Sequence, residues 1–289
     1  MAGKGSMSTG SSVSDENPVV SFFDEHPINE GEILSKQKDA GKDLDHLAPE
    51  DLFPFDQDHY GALEATDALA ALLGLNAASK VLDVCSGMGG TSRYLAWKYG
   101  CRVVGADLTA TRVAGAVNLT AMAGLADRVS YVQADACALE LRGESFDAAV
   151  GQESFLHIPD KAALLASLHR VPKPGGGLAF TDWIAFPQLS DGERRQLREG
   201  IAAQHIAGME EYRALLTGAG FRVTHGEDLS AQWKVILRER LEMFKSLEAE
   251  TVRRFGRERH EKYIGAYTFF VDLIDNGRLG GGRFHAVKL

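Results

Sequence analysis

The stretch VLDVCSGMGGTSRYLA, residues 81–96, joins a short apolar run to a glycine-rich turn and a helical pattern. The apolar run, residues 80–84, is typical of a buried strand, and residues 91–99 have helical spacing. Because glycine has no side chain, a ligand can approach the backbone of such a turn and meet the free N–H groups of the helix. The stretch therefore predicts a ligand-binding turn between a strand and a helix.

The alternation of strand-like and helical segments continues on both sides of this turn. A helix is predicted before it, at residues 60–75. After it the pattern predicts a strand, a helix, two strands, a helix and a strand, at residues 101–105, 110–123, 129–133, 146–151, 161–171 and 177–181. Prolines and glycines at residues 172–177 predict a break before the last of these strands. Strands separated by helices predict an α/β fold with a parallel sheet covered on both faces.

The pattern changes after Asp182, where helical segments dominate. Residues 183–220 and 230–276 are mostly helical, while residues 221–224 and 283–289 are strand-like. We predict a single domain at residues 16–289, with a cofactor-binding half at about 60–182 and an acceptor half with helical lid insertions at about 183–289. Residues 1–15 are rich in Gly, Ser and Thr and are expected to be a disordered leader.

The composition of the 289 residues is that of a globular protein, with 45% hydrophobic and 25% charged residues. No run approaches the roughly 18 apolar residues of a membrane helix, and the net charge of −9 argues against nucleic acid as a partner. The three cysteines, Cys85, Cys101 and Cys137, lack C-x-x-C spacing and predict neither a disulfide framework nor a metal site. We therefore expect a reducing, cytoplasmic location without a membrane partner.

An acidic residue beyond the glycine-rich turn points to an adenosine-containing cofactor. Asp107 ends the second predicted strand, 20 residues after Gly87 in the pattern Gly87-x-Gly89. A carboxylate at that place can accept hydrogen bonds from ribose hydroxyls. The cofactor is then expected to lie across the carboxyl ends of the first two strands.

Two features favour S-adenosylmethionine over a dinucleotide such as NAD. Asp83 lies in the strand just before the turn, and Ser92 replaces the third glycine of G-x-G-x-x-G. A carboxylate there would repel a pyrophosphate but favour an ammonium or a sulfonium group. Asp135, after the third strand, can accept from an adenine amine or cap the next helix.

The segment GQESFLHIPDKAALL, residues 151–165, follows the fourth strand and opens at the sheet edge where α/β folds bind ligands. His157 titrates near neutrality and suits the removal of a proton from a methyl acceptor, or it satisfies backbone groups of the turn. Asp182 ends the fifth strand and would orient His157, hold a substrate amine, or cap a helix. Gln152 and Glu153 lie in the same segment and could contact either ligand.

The motifs VLDVCSGMGGTSRYLA, VVGADLT (103–109), QADA (133–136) and RVPKPGGGLAFTDW (170–183) resemble those of class I S-adenosylmethionine-dependent methyltransferases. That family usually has glycine at the Cys85 position. The resemblance implies a Rossmann-like seven-stranded sheet with an antiparallel last strand, and S-adenosyl-L-methionine as cofactor, with S-adenosyl-L-homocysteine as product. The cofactor-binding residues that it implies are Asp83, Cys85, Ser86, Gly87, Gly89, Asp107, Leu108, Asp135, Ala136 and Gln152.

The segments FDQDHYGALEATDALAALLGL (55–75), ESFLHIPDKAALL (153–165) and EDLSAQW (227–233) resemble phosphoethanolamine and sarcosine/dimethylglycine N-methyltransferases. In the phosphoethanolamine group the histidine matching His157 is catalytic and works with a tyrosine, for which Tyr60 is the candidate. Residues 201–212 lack that group's phosphate-binding arginine. The resemblance thus implies an amine acceptor of the glycine, sarcosine and dimethylglycine type, with Arg278 or Arg283 pairing its carboxylate.

Other segments, such as ESFLHIPD and FTDWIAFPQL (180–189), also resemble sugar and natural-product O-methyltransferases, where a histidine and an aspartate at the positions of His157 and Asp182 are base and partner. O- or C-methylation of a specialised metabolite is the alternative function, in a larger pocket lined by Trp183, Phe186, Trp233 and Phe244. A protein that binds the donor without catalysis is a further alternative. The expected partner is a small-molecule acceptor, and a homodimer is left open.

Overall fold

Seven strands form one sheet in the computed structural model, which describes residues 17–289; the expected leader at residues 1–15 lies outside this range. The strands are β1 Lys80–Val84, β2 Arg102–Asp107, β3 Val129–Gln133, β4 Phe146–Gln152, β5 Pro172–Ala185, β6 Phe221–Asp228 and β7 Leu279–Lys288. Their order is β3-β2-β1-β4-β5-β7-β6, and β1 to β5 run parallel. The last strand, β7, is antiparallel to both β5 and β6. This topology confirms the predicted fold class.

Twelve α-helices surround the sheet within residues 17–289. They are α1 Pro18–Asp24, α2 Glu30–Asp39, α3 Pro49–Asp56, α4 Ala62–Leu73, α5 Gly90–Tyr99, α6 Ala110–Met122, α7 Lys161–Arg170, α8 Asp191–Ile201, α9 Met209–Gly218, α10 Ser230–Ser246, α11 Glu248–Phe255 and α12 Arg257–Asp275. In this part of the chain no helix combines the length and the apolar composition that a bilayer-spanning segment needs.

The core lies on both faces of the sheet because successive side chains of a strand point to opposite sides. Val81 and Val103 pack with residues of α4 and α5 in one apolar cluster. Leu82 and Val84 pack with residues of α7 and α9 in another. Buried strands covered on both faces account for the continuous apolar runs from which the parallel sheet was predicted.

The fifth strand is longer than predicted. It begins at Pro172, and the expected break appears as an irregularity within it, because its register against β4 moves from Phe146↔Pro172 to Ala148↔Gly177. It continues to Ala185 because β7 pairs with it along its whole second half. Beyond the irregularity at residues 173–176, β5 pairs with β4 on one side and with β7 on the other.

Helices at the two ends of the described chain cover the carboxyl edge of the sheet. At the N-terminal end, Leu52 of α3 packs with Met88 of the glycine-rich turn and Leu119 of α6. At the other end, Trp233 of α10 and Phe270 of α12 pack with Trp183 of β5. The edge of the sheet where ligands are expected therefore lies between two helical layers.

Candidate active site

A cavity of about 1250 Å³ lies at the carboxyl ends of β1, β2 and β4. One wall is the glycine-rich turn, and the opposite wall comes from α1, α10 and α12. Pockets for a single small ligand usually have about 300–1,000 Å³. The cavity therefore has room for two ligands side by side.

The backbone of the glycine-rich turn is shaped by three left-handed residues. Cys85, Gly87 and Gly89 have φ of 57°, 53° and 80°. A side chain at Gly89 would overlap the Tyr131 hydroxyl, so only glycine fits there. Gly89 itself does not line the cavity, whereas Cys85, Ser86 and Gly87 do. Gly89, which was predicted to bind the cofactor, thus shapes the turn instead of lining the cavity.

Asp107 ties the turn to the end of β2. One carboxylate oxygen accepts from the backbone N–H of Gly87 at 2.8 Å, and the other accepts from that of Thr109 at 2.9 Å. The side chain is buried at the cavity wall, and this burial raises the pKa of the carboxyl group. Each carboxylate oxygen has a second lone pair, so Asp107 can still accept from a ligand hydroxyl.

Asp83 also lines the cavity, and Ser92 supports it. The Ser92 hydroxyl donates to an Asp83 oxygen at 2.6 Å. This contact gives a structural reason for serine at the third glycine position of the motif. Burial raises the pKa of Asp83 to about 7, so the group is poised to become fully charged beside a bound cation.

The other predicted cofactor residues surround the same cavity; Leu108, Asp135, Ala136 and Gln152 all line it. Asp135 also caps the short turn that follows, because its oxygen accepts from the N–H of Cys137 at 2.8 Å. The Gln152 carbonyl accepts from Thr66 and Thr91 at 3.1 and 2.8 Å. Its buried amide nitrogen has no partner among residues 17–289, and neither has the Ser86 hydroxyl. Buried polar atoms normally have partners, so both atoms suit a ligand in the cavity.

His157 is the last residue of a 3₁₀ turn, Phe155–His157, and lies in the cavity wall. Its Nδ1 is 3.2 Å from the carbonyl oxygen of Ala202. A carbonyl only accepts, so Nδ1 carries the proton and Nε2 keeps a free lone pair. The Phe23 ring packs edge-on against the imidazole, 5.0 Å away between ring centres. Burial lowers the pKa of His157 to about 4, which keeps the ring neutral at ordinary pH.

Asp182 does not meet His157, which corrects the predicted pairing. Side chains alternate along β5, so Thr181 and Trp183 lie on the cavity side and Asp182 lies on the other. There Asp182 is fully buried and accepts from the Tyr212 hydroxyl of α9. Burial raises its pKa to about 6, while the nearby charge of Lys161 opposes this rise.

Tyr60 lines the cavity, as its predicted role requires, and is held from several sides. Its backbone N–H donates to Glu153 at 2.5 Å, and its ring contacts Trp183 with 5.4 Å between ring centres. The Arg240 guanidinium lies over the ring, 4.5 Å from its centre. Burial raises the pKa of the Tyr60 hydroxyl, which therefore stays protonated.

Glu153 is a further candidate for a functional role, in the same segment as His157. It is a non-glycine residue with φ of 45°, a strained conformation that is often found at functional sites. Its second oxygen accepts from the Thr181 hydroxyl at 2.5 Å. Burial raises the pKa of this carboxyl group to about 8. Its position in the segment after β4 was the only signal in the sequence.

The arginines predicted to bind a carboxylate lie elsewhere. Arg278 pairs with Glu193, and Arg283 pairs with Glu227 at 2.8 Å, and neither arginine lines the cavity. The cations that do line it are Arg112, Arg240, Arg259 and Lys262. Sequence reasoning missed these residues because their helices carry no local motif.

Of the four aromatic residues predicted for a larger pocket, only Trp183 lines the cavity. Trp233 packs behind Tyr60, with 4.9 Å between ring centres. Phe186 and Phe244 lie outside the lining. No group of three or more His, Cys, Asp or Glu side chains within residues 17–289 is arranged to hold a metal ion.

Comparisons with known proteins are consistent with this geometry. A family model described as a methyltransferase domain matches residues 81–176. Phosphoethanolamine N-methyltransferase 3 of Arabidopsis thaliana is 30% identical over 228 residues, which cover 79% of this chain and 46% of that protein. 27-O-demethylrifamycin SV methyltransferase of Amycolatopsis mediterranei (strain S699) is 30% identical, over 72% of this chain and 77% of that protein.

A glycine/sarcosine/dimethylglycine N-methyltransferase of Actinopolyspora halophila is 28% identical, over 75% of this chain and 39% of that protein. The chain thus spans less than half the length of this relative and of the Arabidopsis relative. A solved phosphoethanolamine N-methyltransferase 2 of Haemonchus contortus, in complex with phosphomonomethylethanolamine and S-adenosylhomocysteine, has a TM-score of 0.75 and 22% identity. The match covers 92% of this chain and 59% of the Haemonchus protein, and the two share the fold.

Proposed function

The chain belongs to the methyltransferase domain family, and from this membership we propose that it transfers a methyl group from S-adenosyl-L-methionine to a small-molecule acceptor. The acceptor we propose is an amine of the glycine, sarcosine and dimethylglycine type. Residues of the half at about 60–182 would bind the donor, and helices of the half at about 183–289 would cover the acceptor. The free thiols of Cys85, Cys101 and Cys137 support a reducing, cytoplasmic location.

The donor fits the wall that contains the glycine-rich turn. Asp107 would accept from ribose hydroxyls, and Asp83 would favour the ammonium and sulfonium charges. The unpartnered Ser86 hydroxyl and Gln152 amide would complete the polar contacts. When bound, the donor supplies a methyl group on a sulfonium, whose S–C bond electrons return to sulfur on transfer.

One observation carries the proposal: His157 presents a lone pair in the same cavity as Asp107 and Asp83. An acceptor amine must lose a proton so that its nitrogen lone pair can form the new N–C bond. Nε2 of His157 can accept that proton. The carboxyl group of Glu153 lines the same cavity and can accept a hydrogen bond from the acceptor's ammonium before the proton leaves.

The cations of the C-terminal helices support an acceptor that carries an anion. Arg240 lies over the Tyr60 ring and donates to the His59 carbonyl at 2.8 Å, and these two contacts fix the position of its guanidinium. Lys262 of α12 lines the cavity, is exposed and forms no ion pair within the described residues. A carboxylate held by Arg240 or Lys262 would anchor a small amino acid in the cavity that also contains His157.

O- or C-methylation of a larger metabolite is the second candidate, and the aromatic lining favours it. Phe22, Trp183, Tyr263 and Phe270 all face the cavity. Its volume exceeds that of a usual single-ligand pocket, which leaves space for more than glycine beside the donor.

The test is transfer from methyl-labelled S-adenosylmethionine to glycine, sarcosine, dimethylglycine, phosphoethanolamine and a set of sugar and phenolic hydroxyls. Label on the amino acids, with turnover reduced about 10²–10⁴-fold in His157→Gln, is the expected result. Label on hydroxyls alone would replace the proposal by the second candidate. Donor binding without any labelled product would overturn both.

A pair of lysine variants tests the anion site. Lys262→Gln should raise KM for the carboxylate-bearing acceptor about tenfold with little change in kcat, because it removes a binding charge. Lys245→Gln is the matched control, since Lys245 pairs with Glu242 on the outer face of α10. Equal KM values in the two variants would remove Lys262 from the acceptor site.

A further inference from the structure

Lys161 is a buried lysine that does not line the cavity. It is the first residue of α7, and only 2% of its surface is exposed. Its ammonium donates to three backbone carbonyls, those of Phe155 at 3.0 Å, Ile158 at 3.1 Å and His205 at 2.6 Å. All three of its N–H donors are therefore used. Burying an ammonium is costly, so a lysine with such an arrangement calls for a reason beyond stability.

The three carbonyls belong to the two backbone segments that hold His157. Phe155 and Ile158 lie on either side of it in the turn. The other segment, residues 202–205, supplies the Ala202 carbonyl that faces Nδ1, and its Gln204 and His205 N–H groups donate to Leu156 at 2.9 and 3.0 Å. Lys161 joins the two segments through one charge.

The Ala202 carbonyl depends on this support. Ala202 is the residue that caps the C-terminus of α8, with φ of 52°, a left-handed conformation that costs about 1 kcal/mol for a residue with a side chain. Such a conformation persists only when surrounding contacts fix it. The hydrogen bonds that join residues 202–205 to Leu156 and Lys161 are contacts of this kind.

We propose that Lys161 is a positioning residue for methyl transfer, whose ammonium holds the His157 turn against Ala202 so that Nδ1 keeps its proton and Nε2 faces the acceptor. Asp182 then acts through Lys161 rather than on His157, since it accepts from Tyr212 and provides the balancing charge beside the buried ammonium. The inference rests on the proposed function in that it assigns the proton transfer to His157.

The charged groups around His157 predict how kcat should depend on pH when Lys161 is replaced. Asp58 raises the pKa of His157, whereas His26 and Lys161 lower it. Asp58 and His26 face it from the N-terminal segment, and Lys161 faces it from α7. Removal of the lysine charge should therefore move the acid limb of kcat to higher pH.

The experiment compares Lys161→Met, Lys161→Arg and, as matched control, Lys173→Met; Lys173 pairs with Asp147 on the surface. We expect kcat to fall about 10–100-fold in Lys161→Met, with the dissociation constant of S-adenosylhomocysteine within about twofold of wild type, partial recovery in Lys161→Arg and no change in Lys173→Met. The acid limb should shift upwards in Lys161→Met alone. A lower kcat with an unmoved acid limb would make Lys161 merely structural.

Nitrogen NMR of His157 tests the inference without turnover. Wild type should show the Nδ1–H tautomer throughout pH 5–8, and Lys161→Met should show a mixture of tautomers. A mixture in wild type would overturn the inference even if the variant does not fold. Failure of the proposed function is distinct, because it would leave wild type without any methylated acceptor while the tautomer of His157 is still measured.

Discussion

Asp107 illustrates how a single carboxylate can shape a site and bind in it. Its two oxygens already accept from the N–H groups of Gly87 and Thr109. Asp107→Asn puts an amide against one of these N–H groups, so the turn loses a hydrogen bond and the ligand loses a charged acceptor. We expect the dissociation constant of S-adenosylhomocysteine, measured by calorimetry, to rise at least tenfold, because hydrogen bonds to charged groups contribute about 1.5–3 kcal/mol.

The control for this prediction is Asp127→Asn, because Asp127 is exposed and its single ion pair within residues 17–289 is a 3.9 Å contact with Arg128. The dissociation constant of S-adenosylhomocysteine for Asp127→Asn should equal that for wild type. If Asp107→Asn behaved like this control, the ribose would have to lie elsewhere in the cavity.

Cys85 occupies a backbone position that suits glycine. With φ of 57° it tolerates a small side chain, while a β-branched residue would be a genuine outlier. We expect Cys85→Val to lower the free energy of unfolding by about 1–2 kcal/mol and Cys85→Gly to keep it within about 0.5 kcal/mol of wild type, as measured by urea unfolding. Equal stability of the two variants would show that the left-handed conformation is not retained in solution.

At the level of elements, the strands were more predictable than the helices that flank them. The predicted ends of β1 and β3 agree with the structure; β1 is a short, buried run, and β3 is a half-buried strand that contains Ser130 and Gln133. Helices α1 to α3 were not predicted, although Asn17 and Asn29 cap the first two. Such short helices are marginal alone and depend on packing, as α2 and α3 do against Met88 and Leu119.

The residues of the candidate site divide in the same way, into those that local sequence places and those that depend on tertiary packing. Asp107 ends β2 and His157 lies in the segment after β4. The carboxyl ends of parallel strands meet at one edge, so local sequence was enough to place both residues. The prediction puts the Asp182 side chain on the wrong face of β5. Side chains alternate between the two faces of a strand, so an error of one residue inverts the assignment. Arg240 and Lys262 enter the cavity only through the tertiary placement of α10 and α12, for which the sequence has no short-range signal.

The contact between α3 and α5 gives a prediction at this scale. Asp56 and Arg93 form a fully buried ion pair with 2.8 Å between its nitrogen and oxygen. Asp56→Ala leaves the guanidinium buried and unpaired, which typically costs 3–5 kcal/mol. The melting temperature without ligand should fall by roughly 10 °C. Lys173→Ala, which breaks an exposed pair, should change it by no more than roughly 2 °C, and a comparable loss in both variants would contradict the burial argument.

Three buried carboxyl groups, two of them in the cavity wall, make the stability of the whole molecule depend on pH. Burial raises the pKa of Asp182 to about 6, of Asp83 to about 7 and of Glu153 to about 8. Between their unfolded values near 4 and these folded values, the native protein binds more protons than the unfolded chain. The free energy of unfolding should therefore fall as the pH rises from 5 to 8.

Glu153→Gln separates this effect from other titrations. The amide is neutral at every pH, its oxygen can still accept from Tyr60, and its nitrogen can donate to the Thr181 hydroxyl. Urea unfolding at pH 5, 6, 7 and 8 should show a shallower decline in the variant, by up to roughly 1 kcal/mol per pH unit. A decline as steep as that of wild type would mean that Glu153 is already ionised in the native protein.

Because the cavity lies between the N-terminal and C-terminal helical layers, a ligand that fills it should stabilise the whole molecule against heat. S-adenosylhomocysteine at 100 times its dissociation constant should add about 2.7 kcal/mol, which raises the melting temperature by roughly 5–10 °C. NAD should raise it by less than roughly 1 °C at the same concentration, because its pyrophosphate would approach the Asp83 carboxylate that Ser92 holds in the cavity wall. Asp83→Asn tests the role of this charge, because its loss should reduce the increase in melting temperature that S-adenosylhomocysteine causes. A larger shift with NAD than with S-adenosylhomocysteine would contradict the assignment of the donor.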